Sequence, residues 1–310
     1  MSRLPPGVKE NISLSDKNSF AIGGAARYYC CPESTGQLQQ VLLFVHRRQL
    51  PLLLLGNGTN LLVSDDGWPG MVVHLTERFN RGVMEWNDSG VTVSCGVALG
   101  TLVKAAVDRG YGGLEDVAGI PGTVGGAVIM NAGAFSSCIA DTLRDVTCCN
   151  IDSGTVVRYP VSTLEMSYRD SRLRREKTVV LSARFSFDTP GDPEMLARRR
   201  REILRRRKTK QPLSFPNCGS VFKRPPGNFA GTLIEASGCK GMRYGGAEVS
   251  EKHANFIINT GKATAADVRH LIVTVQKRVW EHRAILLEPE VIFTGHFDEP
   301  LFNPEIRNQL

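Results

Sequence analysis

The chain has 310 residues, of which 42% are hydrophobic and 22% are charged, a composition typical of a globular protein with a buried core. This composition excludes a chain that is disordered, collagen-like or a coiled coil throughout. The formal net charge is +7, and residues 198–210 alone hold seven Arg, two Lys and one Glu. The rest of the chain is therefore nearly neutral, and its basic character is confined to one segment.

The eight cysteines predict neither disulfides nor a metal site. None forms a C-x-x-C pair, and no Cys/His cluster has the spacing of a zinc site. No apolar run approaches the roughly 20 residues that a membrane helix needs, and the first residues carry no secretory signal. We therefore expect reduced thiols, no metal, no membrane insertion and a cytoplasmic location.

The first 70 residues predict an α/β lobe. A helix with a Ser/Thr cap is expected from about Thr35 to Gln49. A short buried strand follows at 51–55, and a second apolar run lies at 61–63. The glycine-rich loop at 56–60 separates these two runs. A strand that leads into such a loop is suited to holding a phosphate group.

Residues 71–190 predict a second lobe that is rich in strands. Leu99–Arg109 is expected to form a helix that ends at Gly110. The predicted strands cover residues 71–75, 91–95, 146–149, 156–159 and 179–187. Strands that are followed by mixed helices indicate the α+β class.

The remaining chain predicts a basic helical linker at 191–212 and a substrate-binding domain at 213–310. In the linker, an apolar stripe at helical spacing is surrounded by arginines. The domain is expected to contain strands at 220–223, 256–259 and 290–294, and helices at 229–236 and 265–282. The chain thus divides into 1–70, 71–190, 191–212 and 213–310.

Two glycine-rich stretches, at 56–60 and 119–134, are the strongest ligand-binding signals. Glycines allow backbone amides to approach a ligand closely, and successive amides form nests that bind anions. Neither stretch is a Walker loop or a G-x-G-x-x-G motif, and a single loop of this kind is more often a tight turn. Two such loops, about 60 residues apart, favour one long ligand such as FAD held at both ends.

Three polar residues are candidates for the chemistry. Arg169 lies among small polar residues and either binds a carboxylate through its planar fork or forms a surface ion pair with Asp170. Ser220 follows Gly219 and either protonates a carbanion or is an ordinary turn serine. Glu290, at the start of a predicted strand, is either solvated or donates a hydrogen bond as a neutral acid.

Taken together, these motifs resemble the UDP-N-acetylenolpyruvoylglucosamine reductase (MurB) family. The matching stretches, in chain order, are 18–26, 56–63, 113–134, 167–169, 218–223, 233–241, 246–259 and 287–291. The resemblance implies an FAD-binding domain of the vanillyl-alcohol-oxidase type followed by a C-terminal α+β substrate domain. Arg224 stands where the family usually has Asn, and the short interval from Arg169 to Gly219 resembles the family's shorter form, which lacks a tyrosine lid.

The resemblance also implies the reaction and the roles of residues. FAD and NADPH would reduce the enolpyruvyl group of a small-molecule UDP-sugar to a D-lactyl ether in peptidoglycan precursor synthesis, with Ser220 protonating C2 while Arg169 and Glu290 stabilise the enolate. The implied FAD-binding residues are Gly56, Asn57, Gly58, Thr59, Asn60, Gly119, Ile120, Pro121, Gly122, Thr123, Gly125, Gly126, Ala127, Asn131 and Gly133. The implied substrate-binding residues are Tyr168, Lys223, Lys240, Arg243 and Lys252.

Two alternatives remain open on the sequence alone. The basic segment 198–210 could bind nucleic acid through phosphate contacts, although it contains no interleaved aromatic residues and belongs to no known nucleic-acid module. A flavin oxidase of the same fold would share the flavin-binding loops. The three polar motifs together favour the reductase over the oxidase. The apolar stripe of the basic segment favours a helix that packs on the core, so we expect no obligatory nucleic-acid partner.

Overall fold

A computed structural model describes residues 4–187 and 190–305. The helices are α1 (Thr35–Arg47), α2 (Leu99–Asp108), α3 (Val124–Ile129), α4 (Pro193–Lys210), α5 (Ala230–Ala236) and α6 (Ala265–Arg283). The strands are β1 (Lys9–Ser13), β2 (Ala25–Cys30), β3 (Leu52–Leu55), β4 (Leu61–Val63), β5 (Trp68–His74), β6 (Met84–Asn87), β7 (Gly90–Ser94), β8 (Gly133–Ala134), β9 (Ser137–Cys138), β10 (Leu143–Asn150), β11 (Val156–Pro160), β12 (Thr178–Ser186), β13 (Arg243–Tyr244), β14 (Ala247–Val249), β15 (Ile257–Asn259) and β16 (Ile292–Thr294). This mixture confirms the predicted α+β class.

The described residues form two compact units. Unit 1 comprises residues 4–10, 28–57, 70–187 and 190–207. Unit 2 comprises residues 11–27, 58–69 and 208–305. The C-terminal unit thus takes two segments from the first 70 residues of the chain. The four-part division expected from the sequence stays a prediction.

Unit 1 is built around a five-stranded antiparallel sheet with the order β11-β10-β12-β7-β6. Helix α2 buries one apolar face in the core of this unit, where its buried residues recur at intervals of three and four, as in an amphipathic helix. These buried residues are Leu99, Leu102, Val103, Ala106 and Val107. Within unit 1, β3 also pairs in parallel with residues 71–74 of β5, and Leu52 lies opposite Met71.

Asp145 joins three strands of the five-stranded sheet through charged hydrogen bonds. The residue is 7% exposed, and its carboxylate accepts hydrogen bonds from Arg158 at 2.7 and 2.8 Å and from Arg184 Nε at 2.8 Å. Burial on its own would raise the pKa of Asp145, but the hydrogen bonds and charges of the two arginines outweigh burial and lower this pKa. The stabilisation is therefore present above the unfolded-state pKa of about 3.9 and is lost as the pH falls through the lower folded-state pKa.

We expect Asp145→Asn to lower the free energy of unfolding by about 1–3 kcal/mol at pH 7, because a buried acceptor of charged hydrogen bonds is weakened. The difference from the wild type should shrink when urea unfolding is repeated at about pH 3.5, near the unfolded-state pKa. Asp108→Asn is the matched control, because Asp108 pairs with Lys104 at an exposed site and should change stability by less than about 1 kcal/mol. Equal effects of the two variants would contradict this account.

Unit 2 is organised around α6, which begins with a capping box formed by Thr264 and Asp267. The carboxylate of Asp65 also accepts hydrogen bonds from the amides of Ala265 at 2.8 Å and Ala266 at 3.0 Å. The segment 58–69 is therefore joined to the first turn of α6. A three-stranded antiparallel sheet, β13-β14-β15, and a parallel pair, β16 and β4, complete the regular structure of the unit.

Most of the predicted elements are confirmed within a few residues, including the Ser34 cap of α1, whose hydroxyl accepts from the Gln37 amide at 3.2 Å. The predicted strand at 220–223 is wrong. Its backbone bonds to two separate segments, since Val221 donates to Asn255 and Lys223 donates to Glu288. These bonds do not continue into a ladder, so the segment is extended but is not a strand.

The described residues include no helix that is long and apolar enough to cross a membrane. All eight cysteines carry free thiols in the structure, and six of them are buried.

Candidate active site

The two glycine-rich stretches meet in unit 1 at Gly56 and Thr123. A Cβ placed on Gly56 would lie only 2.6 Å from Thr123 Oγ1. That oxygen accepts a hydrogen bond from the Gly126 amide at 3.3 Å and so caps α3. The sequence predicts no helix in the stretch 119–134, whereas the structure forms α3 there. Thr123 therefore has two roles, as the cap of α3 and as the residue that packs against the first loop.

Glycine is required at several points of the second stretch. Gly119 and Gly122 have φ values of 75° and 132°, in a region of backbone conformation that residues other than glycine rarely adopt. The Gly125 amide donates to Cys95 O at 2.8 Å, and a Cβ on Gly125 would lie 3.0 Å from the Cβ of Cys95. Gly126, by contrast, is exposed. The stretch is thus packed on one side at Gly125 and exposes backbone without side chains at Gly119 and Gly126.

We expect Gly56→Ala to weaken FAD binding at least tenfold, because the new methyl group displaces Thr123 and the cap of α3 is lost at a cost of about 1 kcal/mol or more. Fluorescence quenching of FAD by the protein measures this affinity. Gly100→Ala is the matched control, since no atom lies within 4 Å of a Cβ at that position of α2. The control should keep wild-type affinity and gain about 0.5 kcal/mol in stability. An unchanged dissociation constant for Gly56→Ala would show that the packing of the two stretches does not matter for FAD.

Arg169 sits in a tight turn that lies against the end of the second stretch. The Ser167 amide donates to Asp170 O at 3.0 Å, and Arg169 itself has a left-handed backbone with φ 57°. Asn131 Nδ2 donates to Ser167 O at 3.0 Å, and Arg169 Nη2 donates to Gly133 O at 3.0 Å. The structure therefore brings the predicted catalytic arginine together with two predicted FAD-binding residues in unit 1.

Tyr168 and Asp170, the neighbours of Arg169, have different environments. The Tyr168 side chain is 54% exposed, and the Arg169 guanidinium lies 4.9 Å from its ring centroid. The Asp170 carboxylate pairs with Arg174 and Arg175. Two other arginines thus compete for Asp170, which weakens the interpretation of Arg169 as a simple surface partner of that residue.

Ser220 and Glu290 are close together in unit 2. Gly219 adopts φ 81°, and its amide donates to Asn217 Oδ1 at 2.9 Å. The Glu290 amide donates to Val221 O at 2.7 Å, next to Ser220 in the chain. Both candidate residues are half-buried. The turn at Gly219 and the backbone bond to Val221 together fix the two segments that carry them.

Asn255 holds the Ser220 segment in place and was not singled out by the sequence reasoning. Its Oδ1 accepts from the Phe222 amide at 3.0 Å, and its Nδ2 donates to Phe222 O at 2.9 Å. Its own carbonyl accepts from the Val221 amide at 2.8 Å. The side chain is buried. The available sequence signal was an asparagine directly before the apolar residues 256–258.

The first glycine-rich loop also reaches the Glu290 segment. Its last residue, Asn60, donates from Nδ2 to Glu290 O at 3.0 Å and accepts from the Ile292 amide at 3.0 Å. Burial raises the pKa of the Cys218 thiol, and the negative charge of Glu290 raises that pKa further. Gly58, Thr59 and Asn60 belong to unit 2, whereas Gly56 and Asn57 belong to unit 1.

The four cations proposed to bind substrate all have protein partners within unit 2. The pairs are Lys223 Nζ with Glu288, Lys240 Nζ with Glu235 at 2.9 Å, Arg243 Nε with Glu248 at 2.6 Å, and Lys252 Nζ with the Lys208 carbonyl at 2.7 Å. Glu248 is the only buried acid of these pairs. Exposed ion pairs contribute little free energy, so their cations can readily take another anionic partner. Their substrate-binding role stays a prediction.

Helix α4 packs one face of the basic segment on unit 1. Ile203 is fully buried. Arg199 Nε donates to Asp116 at 2.9 Å, and the Arg206 guanidinium lies 5.0 Å from the ring centroid of Phe135. The segment is thus partly built into the protein rather than being a uniformly solvated basic face.

The geometry of unit 1 fits an anionic dinucleotide. The second stretch presents exposed backbone at Gly119 and Gly126, and a glycine cradle of this kind suits phosphate oxygens. A positive side chain, Arg207, lies against Gly119, and its Nε is buried without a hydrogen-bond partner within residues 4–187 and 190–305. Gly56, Thr123, Gly126 and Arg207 would hold the group in unit 1.

Comparisons with known proteins agree with this geometry. Residues 26–159 match the FAD binding domain family, and residues 211–294 match the C-terminal domain of UDP-N-acetylenolpyruvoylglucosamine reductase. Both predicted domain types are thereby confirmed. The reductase of that name from Synechococcus sp. is 41% identical over 303 residues, covering 98% of this chain and 96% of that protein. The one from Caldicellulosiruptor bescii is 44% identical over 293 residues, covering 94% and 92%. The crystal structure of MurB from Thermus caldophilus is similar, with a TM-score of 0.79 and 35% identity, covering 92% of this chain and 98% of that one.

Proposed function

The chain belongs to the UDP-N-acetylenolpyruvoylglucosamine reductase family, and we propose that it reduces the enolpyruvyl ether of UDP-N-acetylglucosamine enolpyruvate to the D-lactyl ether. The product, UDP-N-acetylmuramate, is a precursor of peptidoglycan and hence of the cell wall on which cell shape and division depend. The observation that carries this proposal is the match over 98% of the chain to a reductase of that name. We also propose a cytoplasmic location, which the eight free thiols support.

When held by Gly56, Thr123, Gly126 and Arg207, FAD would supply the redox chemistry that links NADPH to C3 of the enolpyruvyl group, which is the difficult part of the reaction. The protein supplies geometry and charge. Addition of hydride at C3 leaves negative charge at C2, delocalised into the carboxylate. Groups that meet this charge only as it develops lower the barrier most.

We assign stabilisation of the developing charge to Arg169 and Glu290. The turn around Arg169 fixes its backbone, and a planar guanidinium suits a carboxylate through two parallel hydrogen bonds. Glu290 would donate a hydrogen bond as a neutral acid. A nearby substrate carboxylate favours this neutral form, because its negative charge opposes the ionisation of Glu290. Its backbone is held through Val221 and Asn60.

We assign the proton that arrives at C2 to Ser220. A serine hydroxyl is a weak acid, so it can act only on a strongly basic carbanion in direct contact. The bonds from Asn255 to the backbone of residues 221 and 222 limit the movement of the Ser220 segment. Delivery of the proton from one side of C2 sets the D configuration of the lactyl ether. The net reaction consumes NADPH, one further proton and the enolpyruvyl substrate.

Recognition of the UDP moiety is assigned to Tyr168 and to the four cations Lys223, Lys240, Arg243 and Lys252. The exposed Tyr168 ring offers a surface for packing. The cations would exchange their present partners for phosphate oxygens, since three of the four pairs involve exposed acids or a backbone carbonyl.

The other two hypotheses are less well supported. Helix α4 commits Arg199 and Arg206 to contacts inside unit 1, which leaves less of the basic segment for nucleic acid. A flavin oxidase would need no enolpyruvyl substrate and would form peroxide in proportion to turnover.

The proposal is tested by incubating the purified protein with FAD, NADPH and UDP-N-acetylglucosamine enolpyruvate, followed by mass spectrometry of the nucleotide product. We expect a product two hydrogens heavier than the substrate, formed in proportion to NADPH consumed. Consumption of NADPH with stoichiometric peroxide and unchanged substrate would instead indicate the oxidase.

A further inference from the structure

The turn that carries Arg169 is attached to the second glycine-rich stretch by a side chain of that stretch. Asn131 Nδ2 donates to Ser167 O at 3.0 Å. The same carbonyl accepts from the Asp170 amide at 3.3 Å, and the Ser167 amide donates to Asp170 O at 3.0 Å. Arg169 lies between these two residues, so the bond from Asn131 acts on the backbone that carries the guanidinium.

Both polar atoms of the Asn131 side chain bond to the protein itself. Besides the bond from Nδ2, its Oδ1 accepts from the Ala140 amide at 3.1 Å. Asn131 is only 6% exposed, so water competes little for these bonds. The family resemblance implies that Asn131 binds FAD, whereas its side chain is used to join two segments of unit 1 to the stretch.

The backbone of Asn131 suggests a simpler role, which is the ending of α3. Asn131 directly follows the C-cap residue Met130 and has a left-handed φ of 41°. Glycine is the usual residue at this position of a helix end, and asparagine is the next choice. A glycine would end the helix equally well but would make no side-chain bond to Ser167 O. Asn131→Gly therefore separates the two roles.

We propose that Asn131 is a positioning residue for Arg169, an inference that rests on the proposed function. Asn131 fixes the backbone of the turn at Ser167, and Arg169 Nη2 donates to Gly133 O at 3.0 Å, two residues further along the stretch. The guanidinium is thus fixed at both its base and its tip. A group that stabilises charge only as the charge develops loses much of its effect when it is slightly misplaced.

The test compares Asn131→Gly with Asn80→Gly, a matched control in unit 1. Asn80 also has a left-handed backbone, with φ 47°, and its Nδ2 lies 3.5 Å from Thr35 Oγ1. Stopped-flow absorbance measures the two half-reactions, and fluorescence quenching measures FAD affinity. In Asn131→Gly we expect reoxidation by the enolpyruvyl substrate to slow by roughly 10–10²-fold. Reduction by NADPH and the FAD dissociation constant should stay within about threefold of wild type.

The control should match the wild type in all three measurements. Wild-type reoxidation in Asn131→Gly would show that the residue only ends α3, and would overturn the inference. Weaker FAD binding with unchanged reoxidation would make Asn131 a cofactor ligand and would also overturn it. Equal slowing of both half-reactions would count against it in the same way, because Arg169 is assigned to the second half-reaction alone.

A double-mutant cycle tests whether Asn131 acts through Arg169. If it does, adding Asn131→Gly to Arg169→Met should lower kcat/KM by no more than about twofold further. Losses that multiply, or wild-type kcat/KM in Arg169→Met alone, would overturn the inference. If the glycine variant does not fold, Asn131→Asp replaces it in the cycle, because Asp tolerates a left-handed backbone and keeps an acceptor for Ala140 but no donor for Ser167 O. Wild-type kcat/KM in Asn131→Asp would be equally contradictory. A wild-type enzyme whose reduced flavin is not reoxidised by the substrate would instead overturn the proposed function itself.

Discussion

Replacement of Ser220 by Ala is expected to reduce the substrate-dependent reoxidation of the enzyme by about 10²–10⁴-fold, the usual contribution of a positioned proton donor. The reduction of the enzyme by NADPH needs no proton from this hydroxyl and should change by less than about threefold. Stopped-flow absorbance measures the two half-reactions separately under anaerobic conditions. The selective loss follows because only the second half-reaction creates a carbanion at C2.

Ser214→Ala is the matched control, because Ser214 is exposed in the same segment of unit 2. It should leave both half-reactions unchanged. The backbone bonds around Ser220 run through the main chain of Val221 and Phe222, so removing the hydroxyl should not alter the fold. If Ser220→Ala slowed both half-reactions equally, or neither, the serine would not be the proton donor.

Replacement of Arg169 by Met is expected to lower kcat/KM for the enolpyruvyl substrate by about 10²–10³-fold, as when one stabiliser of a developing anion is removed. The backbone at this position is left-handed, with φ 57°. Arg and Met have similar steric costs in this conformation, so the variant adds no backbone strain. Arg169→Lys should recover only part of the loss, because an ammonium keeps the charge without the planar fork. Steady-state kinetics on the three proteins gives these ratios.

Arg78→Met is the control for this series, since the side chain of Arg78 is 79% exposed in unit 1. Its kcat/KM should match that of the wild type. Full recovery of activity in Arg169→Lys would indicate that general positive charge suffices. Wild-type kcat/KM in Arg169→Met would remove this arginine from the mechanism.

Elements with strong local signals were predictable from the sequence. Helices α1 and α6 have an apolar period together with hydroxyl caps at Ser34 and Thr264, and both signals are local. Helix α3 was missed because Gly125 and Gly126 are poor helix formers and because the tertiary contact with Cys95 stabilises it. Residues 220–223 include types that favour strands, but within residues 4–187 and 190–305 the segment forms only an isolated bridge, between Phe222 and Pro289.

The two-unit organisation could not be predicted from local patterns. Unit 2 recruits residues 11–27 and 58–69 through contacts distant in sequence, such as Asp65 with the first turn of α6. No change in composition marks the points at which the chain passes from one unit to the other. Domain boundaries drawn along a linear sequence cannot represent a unit built from three segments.

The sequence indicates candidate residues where they belong to a motif and does not indicate residues that act through buried contacts. Arg169, Ser220 and Glu290 were proposed from short motifs and from the family resemblance, and their roles stay predictions. Asn255 acts through its buried side chain, and Arg207 is one of seven arginines in a run whose environments the sequence does not distinguish. The tertiary structure is needed to show which arginine has an unpartnered donor.

The central claim is that this chain passes electrons from NADPH through FAD to an enolpyruvyl UDP-sugar. The most direct test is the visible absorption spectrum of the FAD-loaded wild-type protein under anaerobic conditions. We expect the flavin bands to bleach on addition of NADPH and to return on addition of UDP-N-acetylglucosamine enolpyruvate. Bands that bleach and do not return with this substrate, or a protein that shows no flavin bands even after FAD is added, would contradict the claim.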